Sequence, residues 1–110
     1  MAGSNLFTGT LDLLMLQTLR WGPKHGYGIG RWICRRTGGS VDLDEGALYS
    51  ALHRLEKKGL LSASWGETET GRRARFYTLT SKGEKVLAKE TARWEKHADA
   101  VFAVLSYSED

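Results

Sequence analysis

The chain is predicted to be mainly α-helical with one small β-hairpin, and three observations point that way. Apolar residues recur at helical spacing in three successive segments ahead of Leu60. The period then falls to two over "LLSASWGE" and "ARFYTLT", with the turn-rich "TETGRR" between them. Beyond "SKGE" the helical period returns and runs almost to the end. Helix, helix, helix, hairpin, helix is the order of a winged helix-turn-helix with one further C-terminal helix.

The first helix is carried by "GTLDLLMLQTLRWG", where Leu11, Leu14, Leu16 and Leu19 share a face. Thr10 is the expected N-cap, Gly22-Pro23 the stop, and the residues ahead of Thr10 a loose start. "HGYGIGRWICRRTGG" gives the second helix, with Ile29 and Ile33 one turn apart and Gly38-Gly39 at its end. Gly26, Gly28 and Gly30 each weaken it by about 1 kcal/mol relative to alanine. Close approach of another backbone is the expected reason. A phosphate loop is the other reading, but no strand is expected before these glycines and the last glycine of a dinucleotide fingerprint is missing.

A third helix is expected from Asp44 to Lys58, with Gly59 at the left-handed stop position and Leu48, Leu52 and Leu55 inward. After the hairpin, Ser81 and Glu84 make a capping-box pattern that opens the last helix. On that helix Leu87, Thr91, Trp94, Ala98, Val101 and Leu105 are spaced alternately four and three apart, the rhythm of a coiled-coil seam. Such a seam suits the same helix of a second copy, giving a two-fold homodimer. Folding back onto the first helix is the alternative. The expected division is therefore a winged helix-turn-helix DNA-binding domain over residues 1–80 and a dimerisation helix over 81–110.

Composition narrows the class further. The 110 residues carry a net charge of +3, and no apolar run approaches the ~20 needed to cross a bilayer. "MAGSNLFTGT" has neither the basic start nor the apolar core of a secretory leader. Cys34 is the only cysteine, so neither an internal disulfide nor a thiolate metal cage is expected, and a reducing cytoplasm is the natural compartment. Charge is unevenly placed. Up to Ser40, Arg20, Lys24, Arg31, Arg35 and Arg36 face only Asp12.

The outward face of the third helix carries Tyr49, Ser50 and His53, then Arg54 and Lys57. In a helix-turn-helix the second helix of the pair enters the major groove with its early residues nearest the bases. Tyr49 offers a ring and a hydroxyl, Ser50 and His53 donate or accept hydrogen bonds, and Arg54 and Lys57 fall where phosphates flank the groove. At the hairpin tip Arg72, Arg73 and Arg75 are placed to fork onto a second stretch of phosphates. Alternation puts Arg73 and Arg75 on one face and Arg72 on the other. Asp42, Asp44 and Glu45 suit a helix N-terminus, at ~0.3–1 kcal/mol each, but with Glu67 and Glu69 they oppose phosphate. Modest grip per subunit, restored by pairing, is the expectation.

Several of these stretches together resemble the PadR-type transcriptional regulators over roughly Gly9 to Lys85. They are the His-Gly-Tyr-Gly run at 25–28, the Leu-Tyr-x-x-Leu-x-Arg-Leu-Glu pattern from Leu48 to Glu56, and the Arg-Arg-Ala-Arg-x-Tyr wing from Arg72 to Tyr77. The resemblance implies a homodimeric repressor of a palindromic operator on double-stranded DNA, in the bacterial cytoplasm and nucleoid-associated when bound, released by a small organic ligand. It places Tyr49 and Ser50 on the DNA face, His53 and Arg54 nearby, and Arg72 and Arg73 on the wing. Ser50 departs from the proline that is frequent there. The short C-terminal part resembles the branch that dimerises through a single helix. In some drug-sensing members of that branch a tryptophan, matched here by Trp94, lines an aromatic-binding pore.

Other classes fit less well. His25, His53 and His97 lie on separate elements without a second ligand at metal spacing, so no metal, cofactor or catalytic residue is expected. His25 reads as a cap or packing residue, and His53 with Glu56 as a surface pair. A winged helix that binds protein through Trp65, Tyr49 and the seam is the remaining alternative. Ionic strength separates the two, since only phosphate binding weakens steeply with salt.

Overall fold

The computed structural model describes residues 2–109, with side chains from residue 9 onward. Along the chain run α1 (Ala2–Thr18), a 3-10 turn (Leu19–Trp21), β1 (Lys24–His25), α2 (Gly26–Arg36), α3 (Glu45–Lys57), β2 (Leu61–Glu67), β3 (Arg73–Leu79) and α4 (Ser81–Leu105). The order is that of a winged helix-turn-helix, as its periodicities predict. One side of each of the first three helices closes a shared core: Met15, Leu16 and Leu19, then Ile29 and Ile33, then Leu48, Leu52 and Leu55. Each such side chain contributes about 1.5–3 kcal/mol by leaving water. Met15, which a count of leucines passes over, is fully shielded.

The helix boundaries differ from expectation at two N-termini. Helix α1 starts at Ala2, so Thr10 lies inside it rather than at its N-cap, and the helix already covers the stretch expected to be a loose start. Threonine is tolerated in a helix interior, and Gly9 weakens the helix by about 1 kcal/mol without breaking it. At α4 the cap is Thr80 rather than Ser81: its Oγ1 accepts the Gly83 amide at 3.0 Å and donates to the Gly59 carbonyl at 2.7 Å. Packing sets this register, because Gly83 is pressed against the Leu60 carbonyl, where any Cβ would collide.

The sheet has three strands where the sequence showed two, in the antiparallel order β1-β3-β2. β2 and β3 pair from Leu61↔Leu79 to Glu67↔Arg73. β1 adds Lys24↔Tyr77 and His25↔Phe76, and its two residues are too few to display a period. A strand therefore does precede the glycines of α2. The phosphate-loop reading gains nothing from it, because the His25 Nδ1 already accepts the Gly28 amide at 3.2 Å and caps the helix.

Helix α4 divides into two environments. Its first turns join the head, where Gly83 and Leu87 are buried, and it touches α1. Leu87 thus belongs to this chain's own core and is withdrawn from the expected seam. Farther on, Phe102, Val104 and Leu105 are 69%, 75% and 73% exposed. The fold-back reading holds at least as far as Trp94 and His97, which line one recess with Gly9, Thr10 and Leu13. With extents of 60 × 29 × 27 Å, the molecule is a head with a projecting arm.

Candidate nucleic-acid interface

Helix α3 is fixed at both ends by the residues its sequence offered. The Asp44 Oδ2 accepts the Ala47 amide at 3.0 Å, and Gly59 follows with φ of 79°. Leu48, Ala51, Leu52 and Leu55 bury one face, leaving Tyr49, Ser50, His53 and Lys57 exposed. Tyr49 is not a free reading side chain. Its ring lies over Gly26, where a Cβ would stand 2.6 Å from the ring, yet 44% of the residue stays exposed. The neighbour that demands glycine at 26 is therefore a side chain, not the backbone expected from sequence. At Gly30 the nearest atom is again a side chain, Leu48 Cδ2, at 3.4 Å.

The wing closes the other side. Thr68 and Gly71 build its tip: the Gly71 amide donates to the Thr68 carbonyl at 2.9 Å, with φ of 81° at Gly71. Between wing and helices lies an open groove of about 1010 Å³. Tyr49 lines it together with Arg72, Arg73 and Arg75, alongside Glu69. Ser50, His53 and Lys57 lie outside its lining. Arg73 and Arg75 share a sheet face, as alternation required, and Arg73 rests 4.7 Å above the Trp65 ring.

Two of the nominated arginines are otherwise engaged. Arg54 turns to α1 and pairs with the Asp12 Oδ2 at 2.7 Å, outside the groove, while the buried Asp12 Oδ1 has no partner among the described residues. Nothing in the local sequence announces a partner 42 positions away. Arg75 lines the groove but binds the Glu56 Oε2 at 2.7 Å, which replaces the expected His53–Glu56 pair. Arg75 also lies 5.9 Å from the Tyr77 ring centroid; burial pushes that phenol above 10.0, against the pull of the Arg75 charge.

The groove also gathers residues that sequence reasoning left unassigned, Tyr27, Arg31 and Arg35 of α2, together with Trp65 of β2, which the protein-binding alternative had used. Their signal was present in the four-residue spacing of the first three and in the basic excess of the first forty positions. His25, edge-on to Phe76 at 5.3 Å, keeps its Nδ1 on the Gly28 amide, so its proton is assigned to Nε2. Trp94 lies apart from all of these. Its ring is 5.6 Å from His97, beside a recess of about 290 Å³ that Thr10, Leu13 and Glu90 also line. Among the described residues no cluster of His, Cys, Asp or Glu could hold a metal ion, and no helix is long and apolar enough to cross a membrane.

Three helices, a β-wing and an arginine-lined groove beside the third helix define a winged helix-turn-helix DNA-binding protein. Residues 15–89 match the transcriptional regulator PadR-like family, and the chain belongs to it. A transcriptional regulator from Clostridium thermocellum is 33% identical, covering 89% of this chain and 92% of that one, with a TM-score of 0.79. A PadR family transcription regulator from Clostridium difficile is 26% identical over 88% of this chain and 98% of that one, TM-score 0.74. An uncharacterized protein of Lysinibacillus sphaericus is 32% identical over 94 residues, 86% of each chain. The chain is a DNA-binding transcriptional regulator, not an enzyme.

Proposed function

We propose that this protein is a homodimeric, sequence-specific repressor of a palindromic operator, released by a small aromatic or planar effector. The observation that carries the reading is the pairing of two surfaces on one chain. A positive groove beside α3 suits duplex phosphate, and the exposed apolar stretch around Val101 and Leu105 suits a second copy. Residues 1–80 serve as the DNA-binding head and 81–110 as the dimerisation helix, which begins inside the head and pairs from Thr91 onward. Thr91, Trp94, Ala98, Val101 and Leu105 form the dimer contact, without Leu87. Tyr49, Ser50 and His53 face the bases, Lys57 and the wing arginines Arg72 and Arg73 hold phosphates, Arg54 braces α3 against α1, and Arg75 braces α3 against the wing.

Two α3 helices must stand about one DNA turn apart, ~34 Å, to enter successive major grooves. An effector seated against Trp94 between the arms would tilt the heads and spoil that spacing. It acts only through different affinities for the two dimer shapes. The test is DNA selected from genomic fragments by the purified protein, then titrated against salt and against Arg73→Ala. Steep weakening with salt and loss of binding in the variant, with the dimer intact by sedimentation, is the expected result. Binding indifferent to both would favour a protein partner instead. Calorimetry with planar aromatic acids, with and without DNA, tests release: equal affinity in both states removes the effector from the scheme.

A further inference from the structure

The groove has two walls, and the sequence pointed to only one of them. Tyr27, Arg31 and Arg35 recur every four residues, so they form one stripe along α2. Ile29 and Ile33 fix that helix by burying its opposite side, which turns the stripe outward. All three residues line the groove that also holds Tyr49, Arg72 and Arg73. Helix α2 contains three arginines and no acid. Among the described residues neither Arg31 nor Arg35 makes an ion pair, whereas Arg54 and Arg75 do. Glu69 is the acid in the groove lining, and Asp42 and Glu45 share an adjoining recess with Arg31. Like charges gathered across a concave surface, with so little local compensation, repel one another until an anion enters.

We infer that the Tyr27–Arg31–Arg35 stripe carries one strand of the DNA backbone, opposite the wing arginines. The inference rests on the reading of this groove as the DNA site and adds to it a set of contacts made by α2 rather than α3. The occupant is a run of phosphodiesters, because the stripe sets two cationic forks one helical turn apart, at Arg31 and Arg35, and the recess beside Arg31 is lined by Asp42 and Glu45. Arg31 and Arg35 each neutralise a phosphate, and the Tyr27 hydroxyl donates to another.

Salt titration on a mixed-sequence DNA duplex tests this without knowledge of the operator, since non-specific binding is set by phosphate contacts. Each phosphate neutralised adds about 0.9 to the slope of log affinity against log salt. Arg31→Gln with Arg35→Gln should therefore flatten the slope by ~1.8 per chain, or ~3.6 for a bound dimer. Arg36→Gln is the control: it removes the same charge from the same helix at an exposed position outside the groove lining. It should leave the slope almost unchanged, while Tyr27→Phe weakens binding with the slope intact. If Arg36→Gln flattens the slope as much per charge as the double variant, only overall charge matters and the inference falls. If the double variant binds like the parent while Arg73→Gln binds weakly, α2 is not a wall but the groove remains the DNA site. If all of these bind like the parent, the groove reading itself fails, and the inference with it.

Discussion

In the head, Leu52 and Ile29 are wholly shielded from solvent, whereas Phe102 and Leu105 on the distal half of α4 are about as exposed as residues on an isolated helix. Both regions show apolar residues at the same helical spacing. What differs is the supply of neighbours. The head folds three helices, the sheet and the first turns of α4 around one centre, so each apolar face finds another within the chain. On the distal arm, among the described residues, Phe102, Val104 and Leu105 are left largely uncovered. Leu87 and Val101 make the point on a single helix: two positions of one seam, one at 4% and the other at 42% exposure. Spacing identifies an apolar face, and distance from the centre decides whose core it completes.

The largest effect belongs to the head. Leu52→Ala should destabilise it by about 2–5 kcal/mol, because a cavity remains where the side chain was. Urea unfolding followed by circular dichroism measures this, and a loss below that range would mean the head is less tightly closed than its burial implies. Next comes the arm. Val101→Asp with Leu105→Asp should abolish association in sedimentation and make the melting temperature independent of concentration, while the head keeps its helical signal. A parent protein whose melting temperature already ignores concentration would break the comparison outright.

A smaller effect is expected where α2 meets α3. Gly26→Ala forces the Tyr49 ring aside, at about 1–3 kcal/mol. Adding Tyr49→Ala should recover most of that stability, and a double-mutant cycle with simple additivity would show that the ring is not the obstacle. Smallest is Arg54→Ala. The part-buried pair with Asp12 is worth on the order of 1 kcal/mol, and removing it should leave the salt slope of DNA binding as it was. A flatter slope would return Arg54 to the DNA surface.

Much of the site was legible because its signals are local. Asp44 and Gly59 bound α3 as their side-chain chemistry requires, and His25 caps α2. Alternation correctly put Arg73 and Arg75 on one face of the wing. Apart from the start of α1, the expectations that failed concerned neighbours distant along the chain. Thr80 took the cap from Ser81 because Gly83 had to meet Leu60. Gly26 of α2 answered to the Tyr49 ring rather than to a backbone. Glu56 chose Arg75, nineteen residues on, over His53 on its own helix.

By itself the sequence determined the order of the elements, the buried face of each helix and the ends of α2 and α3, since these follow from periodicity and from hydrogen bonds within one turn. Only the tertiary structure decided which cations remain available to a polyanion. Arg54 and Arg75 were captured by Asp12 and Glu56, while Arg31 and Arg35 were left facing the groove. The reason is physical: a charge pairs with whatever folding brings within a few ångströms, and that distance is not written in the spacing of residues along the chain.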